Sequence, residues 1–214
     1  NKGQEEHREH ILESAFLSEI EKEKATDKLI RRIQPIKLHR LRFQFPTVFT
    51  GSSLRNDPIN AEILKNLIYC KPGNGGGIDI LARRQKGPSY LTVIELKETN
   101  KLKPEIAIRQ AIAYATFIRE LIRYDAEQNI NNTTWYSEFG FNPNSLNKDL
   151  IIKCVIAMPG VSDPNLFINA GLTEIPLPDN TGKHKDKLLL HCINIDLKDG
   201  DRNNIINLIP DKNF

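Results

Sequence analysis

The chain reads as an α/β domain whose elements run helix, strand, strand, strand, helix, strand. Two apolar runs of strand length carry acidic residues 16 positions apart, Asp79 and Glu95; a long helical pattern opens at Pro104; and Leu150 to Met158 is almost continuously apolar. A continuous apolar run of that length is what a strand buried on both faces requires, which places helices over a sheet. With 214 residues and 39% hydrophobic content, one core can be filled, so a single domain over residues 1–214 is expected. The chain does not open with Met and is read as a trimmed or processed piece, with room for neighbouring domains.

The first helix is expected over Gln4 to Ile33, from the helical spacing of Ile11, Leu12, Ala15, Phe16, Ile20, Leu29, Ile30 and Ile33, with Pro35 as its stop. Lys37 to Phe49 alternates through Leu38, Leu41, Phe43, Phe45 and Val48, predicting a first strand closed at Pro46 or at the Gly51-Ser52-Ser53 turn. Asn56-Asp57-Pro58 supplies a capping side chain and a first-turn proline for a short helix, Ile59 to Tyr69. Gly73 to Gly77 is a glycine-rich turn; it lacks Gly-Lys-Ser/Thr and precedes a strand, which excludes a phosphate loop. Two strands follow, Gly77 to Ala82 and Tyr90 to Lys97, and then a helix from Pro104-Glu105 to about Gln128, its opening proline and acid suited to the positive helix end. Asn129 to Asn147 reads as loop, Pro159 to Lys187 mostly as turns, and Leu188 to Leu197 as the last strand.

Charge excludes little. Thirty basic against 27 acidic residues leave a formal +3, too weak a field to argue for nucleic acid by itself. The basic stretch Lys28, Arg31, Arg32, Lys37, Arg40, Arg42 and the trio Arg83, Arg84, Lys86 read first as solvated faces. Cys70, Cys154 and Cys192 are scattered among apolar residues with no Cys-x-x-Cys. That pattern suits reduced core thiols of a cytoplasmic protein and excludes a disulfide frame, a zinc site or a four-cysteine cluster. No apolar stretch approaches a membrane span, and no signal-peptide core opens the chain, so a soluble protein with no membrane partner is expected.

The chemistry lies in the two strands. Alternate residues of a strand share a face, so Glu95 and Lys97 point together, away from Ile94 and Leu96. A carboxylate buried beside an ammonium is costly unless something compensates, and a divalent cation with a phosphate ester is one such partner. Gln110 and Tyr114, four apart, share one side of the long helix at the edge of the stripe Ala107, Ala111, Ala115, Ile118, Ile122.

Gly77-Ile78-Asp79, Glu95-Leu96-Lys97 and Gln110-Ala111-Ile112-Ala113-Tyr114 resemble, in that order, the motifs of the PD-(D/E)XK nuclease superfamily. The Gln-x-x-x-Tyr is similar to the branch containing the nuclease domain of bacterial recombination helicase-nucleases. The three motifs cover 38 residues, Gly77 to Tyr114, and Ile78 stands where the family often has Pro. The resemblance implies a restriction-endonuclease-like core, with a mixed central β-sheet in α-β-β-β-α-β order and helices on both faces. It implies a magnesium-dependent deoxyribonuclease, a hydrolase of phosphodiester bonds leaving a 5′-phosphate and a 3′-hydroxyl. Asp79, Glu95 and the carbonyl of Leu96 would bind Mg2+ or Mn2+; Lys97 would orient or deprotonate the attacking water; Gln110 and Tyr114 would steady the backbone and the lysine.

The family usually adds an acid from the first helix. Glu19 falls within the apolar stripe while Glu13 and Glu21 project from it, so Glu19 is the candidate, for metal assistance or for a pair with a buried base, and Glu62 a weaker one. Asp196-Leu197-Lys198 is a rival Asp-x-Lys, but Asp199-Gly200 turns the chain at once, which reads as a strand meeting solvent. Against the enzyme stands a catalytically silent nucleic-acid-binding or assembly module on the same fold. DNA or RNA, strandedness, internal or terminal cutting and oligomeric state, a dimer included, stay open. Asn129 to Asn147 and Pro159 to Lys187, the latter with Lys183, His184, Lys185 and Lys187, are the expected specificity segments.

Overall fold

The structure, a computed structural model, describes residues 2–23, 33–36, 45–47, 77–84, 90–97, 104–128, 135–142, 149–160, 173–178, 182–198, 205–211 and 214. Its elements are α1 (Lys2–Glu23), β1 (Ile33–Pro35), β2 (Phe45–Pro46), β3 (Gly77–Ile78), β4 (Ile80–Arg84), β5 (Leu91–Leu96), α2 (Pro104–Gln128), α3 (Trp135–Glu138), β6 (Ile151–Met158), β7 (Glu174–Pro178), β8 (Lys185–Leu197) and β9 (Ile205–Pro210). The predicted helix Ile59 to Tyr69, most of the strand Lys37 to Phe49, Glu62, Cys70 and the basic residues Lys28, Arg31, Arg32, Lys37, Arg40 and Arg42 lie outside the described residues.

The protein is α/β with a mixed sheet in the order β1-β4-β5-β6-β8-β7. β1, β4 and β5 are antiparallel neighbours; β5, β6 and β8 are parallel. A parallel pair needs a crossover, and α2 supplies it by running back from the end of β5 to the start of β6. β8 is long enough to take β7 along Lys185 to Leu189 and β9 along Ile193 to Leu197, both antiparallel and on the side away from β6. β2 and β3 form a separate antiparallel pair.

Alternation divides the sheet between two cores. Leu91 and Val93 of β5 and Leu81 of β4 pack with Ala107, Ala111 and Ile118 of α2. Ile94 and Leu96 of β5, with Ile80 and Ala82 of β4, pack with Leu12, Phe16 and Ile20 of α1. Among the described residues one helix covers each face, and Glu95, sharing the parity of Val93, belongs to α2's face.

Several sequence expectations are corrected. Ile33 to Pro35 is strand and not the end of a helix: the residue before a proline avoids helical backbone, so Gln34 is extended and pairs with Arg83. The expected loop contains α3, and β7 lies within the expected turns. β8 starts at Lys185 and not at Leu188, since its second residue, Asp186, is charged yet buried. β9 was not expected. Arg83 is no solvated charge: it donates to Gln34 Oε1 at 3.1 Å and to the carbonyl of Gly140 at 2.7 Å. Gly140, at φ +80°, ends the α3 segment where a Cβ would fall on that guanidinium.

Candidate active site

Asp79 sits at the bend between β3 and β4. Ile80 pairs with Ile94 in the antiparallel ladder, so the register brings Asp79 beside Glu95. The N–H of Lys97 points to β6, where it donates to the carbonyl of Ala157 at 3.0 Å. Peptide groups of successive residues face opposite edges, so the N–H and C=O of Leu96 face β4. The chain of that neighbour has bent away, and the Asp79 carboxylate takes the place of a ladder carbonyl, Oδ2 accepting from Leu96 N–H at 2.7 Å. One motif acid is thereby fastened to the centre of the other motif.

Glu95 is buried to 1% exposure on α2's face, and Lys97, two residues on, is also buried. The Lys97 ammonium donates to Glu95 Oε1 at 2.5 Å. From α2, Tyr114 comes down onto the same group. Its side chain is fully buried, where the helical pattern had put it at the edge of the stripe. Gln110, one turn earlier, donates from Nε2 to the Tyr114 hydroxyl at 3.1 Å. Burial first, then the negative charge of Glu95, push the Tyr114 phenol up to about 12, with Asp79 adding to the rise and Gln110 and Lys97 opposing it. Tyr114 thus feels all three motif side chains and stays protonated at neutral pH. On β6, Cys154 lies on the same face, and burial followed by the Glu95 charge drives its thiol well above the ordinary range. Cys154 and Cys192 are both free and buried.

Asp79, Glu95, Lys97, Gln110 and Tyr114 therefore converge. Glu19 does not join them: its carboxylate pairs with Lys22 at 3.1 Å on α1, the helix that packs on the opposite face. Its neighbour Glu13, expected to project from the stripe, is buried. Lys183, Lys185 and Lys187 stand at the start of β8, whose register with β6 puts them at the end of the sheet remote from Glu95, and Lys187 pairs with Glu174. The rival Asp196 is exposed at a bulge in β8.

The donor set suits a hard cation. Two carboxylates and an adjacent main-chain carbonyl are oxygen ligands, and magnesium is commonly held by one or two carboxylates with water and substrate phosphate completing its shell. Among the described residues no three His, Cys, Asp or Glu side chains form a metal-holding group, so a metal here would depend on those outside ligands.

Sequence reasoning missed a second buried charge cluster on α2. Arg119 and Arg123 close on Asp186 of β8, whose carboxylate also accepts from Leu150 N–H at 2.7 Å. Nothing in the sequence joins residues more than 60 positions apart, although arginines four apart on a helix face were a legible hint. No family model matches the chain, and no match is found among curated proteins or solved structures. No helix is long and apolar enough to cross a membrane among the described residues.

Proposed function

We propose that this chain is a metal-dependent nuclease that hydrolyses phosphodiester bonds of DNA, with a restriction-endonuclease-like core in which β1, β4, β5, α2 and β6 are the central elements. The observation that carries the reading is the convergence of Asp79, Glu95 and Lys97 at one place on the sheet, beneath Tyr114 and Gln110. The Asp79 carboxylate is fastened to Leu96 N–H, between Glu95 and Lys97, which are buried and paired. Two carboxylates and a main-chain carbonyl held together offer oxygen ligands to a hard cation, and the ammonium beside them suits a phosphate diester. The reduced, buried Cys154 and Cys192 fit a cytoplasmic setting.

Magnesium or manganese, held by Asp79, Glu95 and the carbonyl of Leu96, would supply Lewis acidity at the scissile phosphate and an acidified water. The chain's own residues do the rest. Lys97, fixed against Glu95, orients the attacking water and offers positive charge where the phosphorane oxygen gathers electrons. The Tyr114 phenol, with its proton held to about 12, is a hydrogen-bond donor and not a base at neutral pH. Gln110 fixes the direction of that hydroxyl. Packing beneath α2 shields the inner side of Glu95 from water, which strengthens each of these interactions.

The test is cleavage of linear and circular DNA with magnesium and with chelator. Asp79→Ala, Glu95→Ala and Lys97→Ala are each expected to lower the rate by roughly two to three orders of magnitude. Undiminished cleavage in any one of them, or cleavage that chelator leaves intact, rejects the assignment.

A further inference from the structure

We infer that Asp186, at the end of the sheet remote from Asp79 and Glu95, is a positioning residue: through Arg119 and Arg123 it sets how far along the sheet α2 lies, and so holds Tyr114 and Gln110 against the acidic pair. The inference takes those five residues as the working site, as proposed above.

The face that α2 buries near the site includes Ala107, Ala111 and Ala115, all at 0% exposure, beside the larger Ile108, Tyr114 and Ile118. Apolar burial is non-directional and fixes a position along the sheet less sharply than it resists separation. Hydrogen bonds are directional and set a position. Asp186 accepts four: Arg119 Nε at 2.9 Å, Arg123 Nε at 2.9 Å, Arg123 Nη2 at 2.6 Å and Leu150 N–H at 2.7 Å. Arg119 adds Nη2 to the Leu177 carbonyl of β7 at 3.1 Å and pairs through Nη1 with Glu120. The helix is therefore pinned to β8 and to β7, and Asp186 is itself tied to Leu150, the residue that leads into β6.

The lever is short and stiff. Tyr114 lies five residues before Arg119, roughly 7.5 Å along the axis at 1.5 Å per residue, and a slip of a single residue moves it by about 1.5 Å. A displacement of that size at reacting groups costs on the order of a hundredfold in rate. A buried polar network that specifies one arrangement out of several is an attested role for such clusters.

The experiment places 3-fluorotyrosine at position 114 and records its 19F resonance in the wild type, in Asp186→Asn and in the triple variant Arg119→Met/Arg123→Met/Asp186→Leu, which replaces the charges by apolar bulk. Cooperative melting identifies the variants that fold. In a folded variant the expected result is a shifted or multiple 19F signal, with cleavage turnover reduced roughly tenfold to a hundredfold and KM little changed. A folded variant that keeps the single wild-type resonance overturns the inference. So does failure of both variants to fold, since the network would then be a condition of folding and not of placement. If the wild type cleaves nothing, the nuclease reading falls while the 19F comparison still decides the role of Asp186.

Discussion

Among the described residues helix α2 meets two buried charge clusters, and they differ in what holds them together. In its second half, Arg119 and Arg123 meet Asp186 and Glu120, two positive against two negative groups, and the Asp186 carboxylate accepts four N–H donors. In its first half, Tyr114 and Gln110 meet the Asp79 and Glu95 carboxylates and the Lys97 ammonium. The first cluster is closed by four donors of the chain itself. The second lies where a strand has bent away and, on the reading proposed above, works with a cation. One helix thus joins the two.

Breaking the closed cluster has the largest expected effect on stability. Asp186→Ala strands two guanidinium groups in the interior and should cost about 3 to 5 kcal/mol, measured by denaturant unfolding. The acid limb sharpens the point. Burial alone would raise the Asp186 carboxyl, but the bonds from Arg123, Leu150 and Arg119 outweigh it and hold the group below the ordinary carboxylate range. Its folded value therefore lies under its unfolded value, so the stabilisation is complete above the unfolded value, about pH 4, and is lost as pH falls through the folded one. The stability gap between wild type and Asp186→Asn should be full at about pH 6 and narrow progressively as the pH falls below the unfolded value.

The smallest effect is expected at Glu19, 13% exposed, which pairs with the exposed Lys22 three residues on along α1, a contact worth roughly 0.2 to 0.5 kcal/mol. Glu19→Ala should leave cleavage within about twofold of wild type and stability within about 0.5 kcal/mol. A loss of cleavage comparable to that of Glu95→Ala would restore Glu19 to the reaction and extend the site around the sheet.

The contrast also explains what was legible in the sequence. The period-two rule placed Glu95 and Lys97 on one face, and the four-residue spacing placed Gln110 with Tyr114, because both relations are local. The strands Leu91–Leu96 and Ile151–Met158 were legible as apolar runs. Asp186 was not, because a charged residue reads as surface until its partners are known, and Arg119 and Arg123 come from another element. The same blindness moved the start of β8 to Leu188. Glu19 misled for a complementary reason: α1 buries Leu12, Phe16 and Ile20, and a residue beside that stripe looks central until the docking face is fixed. The short strands β1 and β7 contain prolines, which argue locally against a strand and are tolerated near sheet edges.

The most direct test of the proposed cation site is a manganese titration of thermal stability, in wild type and in Asp79→Asn. A site that binds the cation should gain about 2.7 kcal/mol when manganese reaches a hundred times its dissociation constant, a rise of roughly 5 to 10 °C for a chain of this size. Asp79→Asn, which removes one charge while keeping the hydrogen bond to Leu96 within reach, should lose most of that rise. No rise in the wild type, or an equal rise in both proteins, would contradict the account.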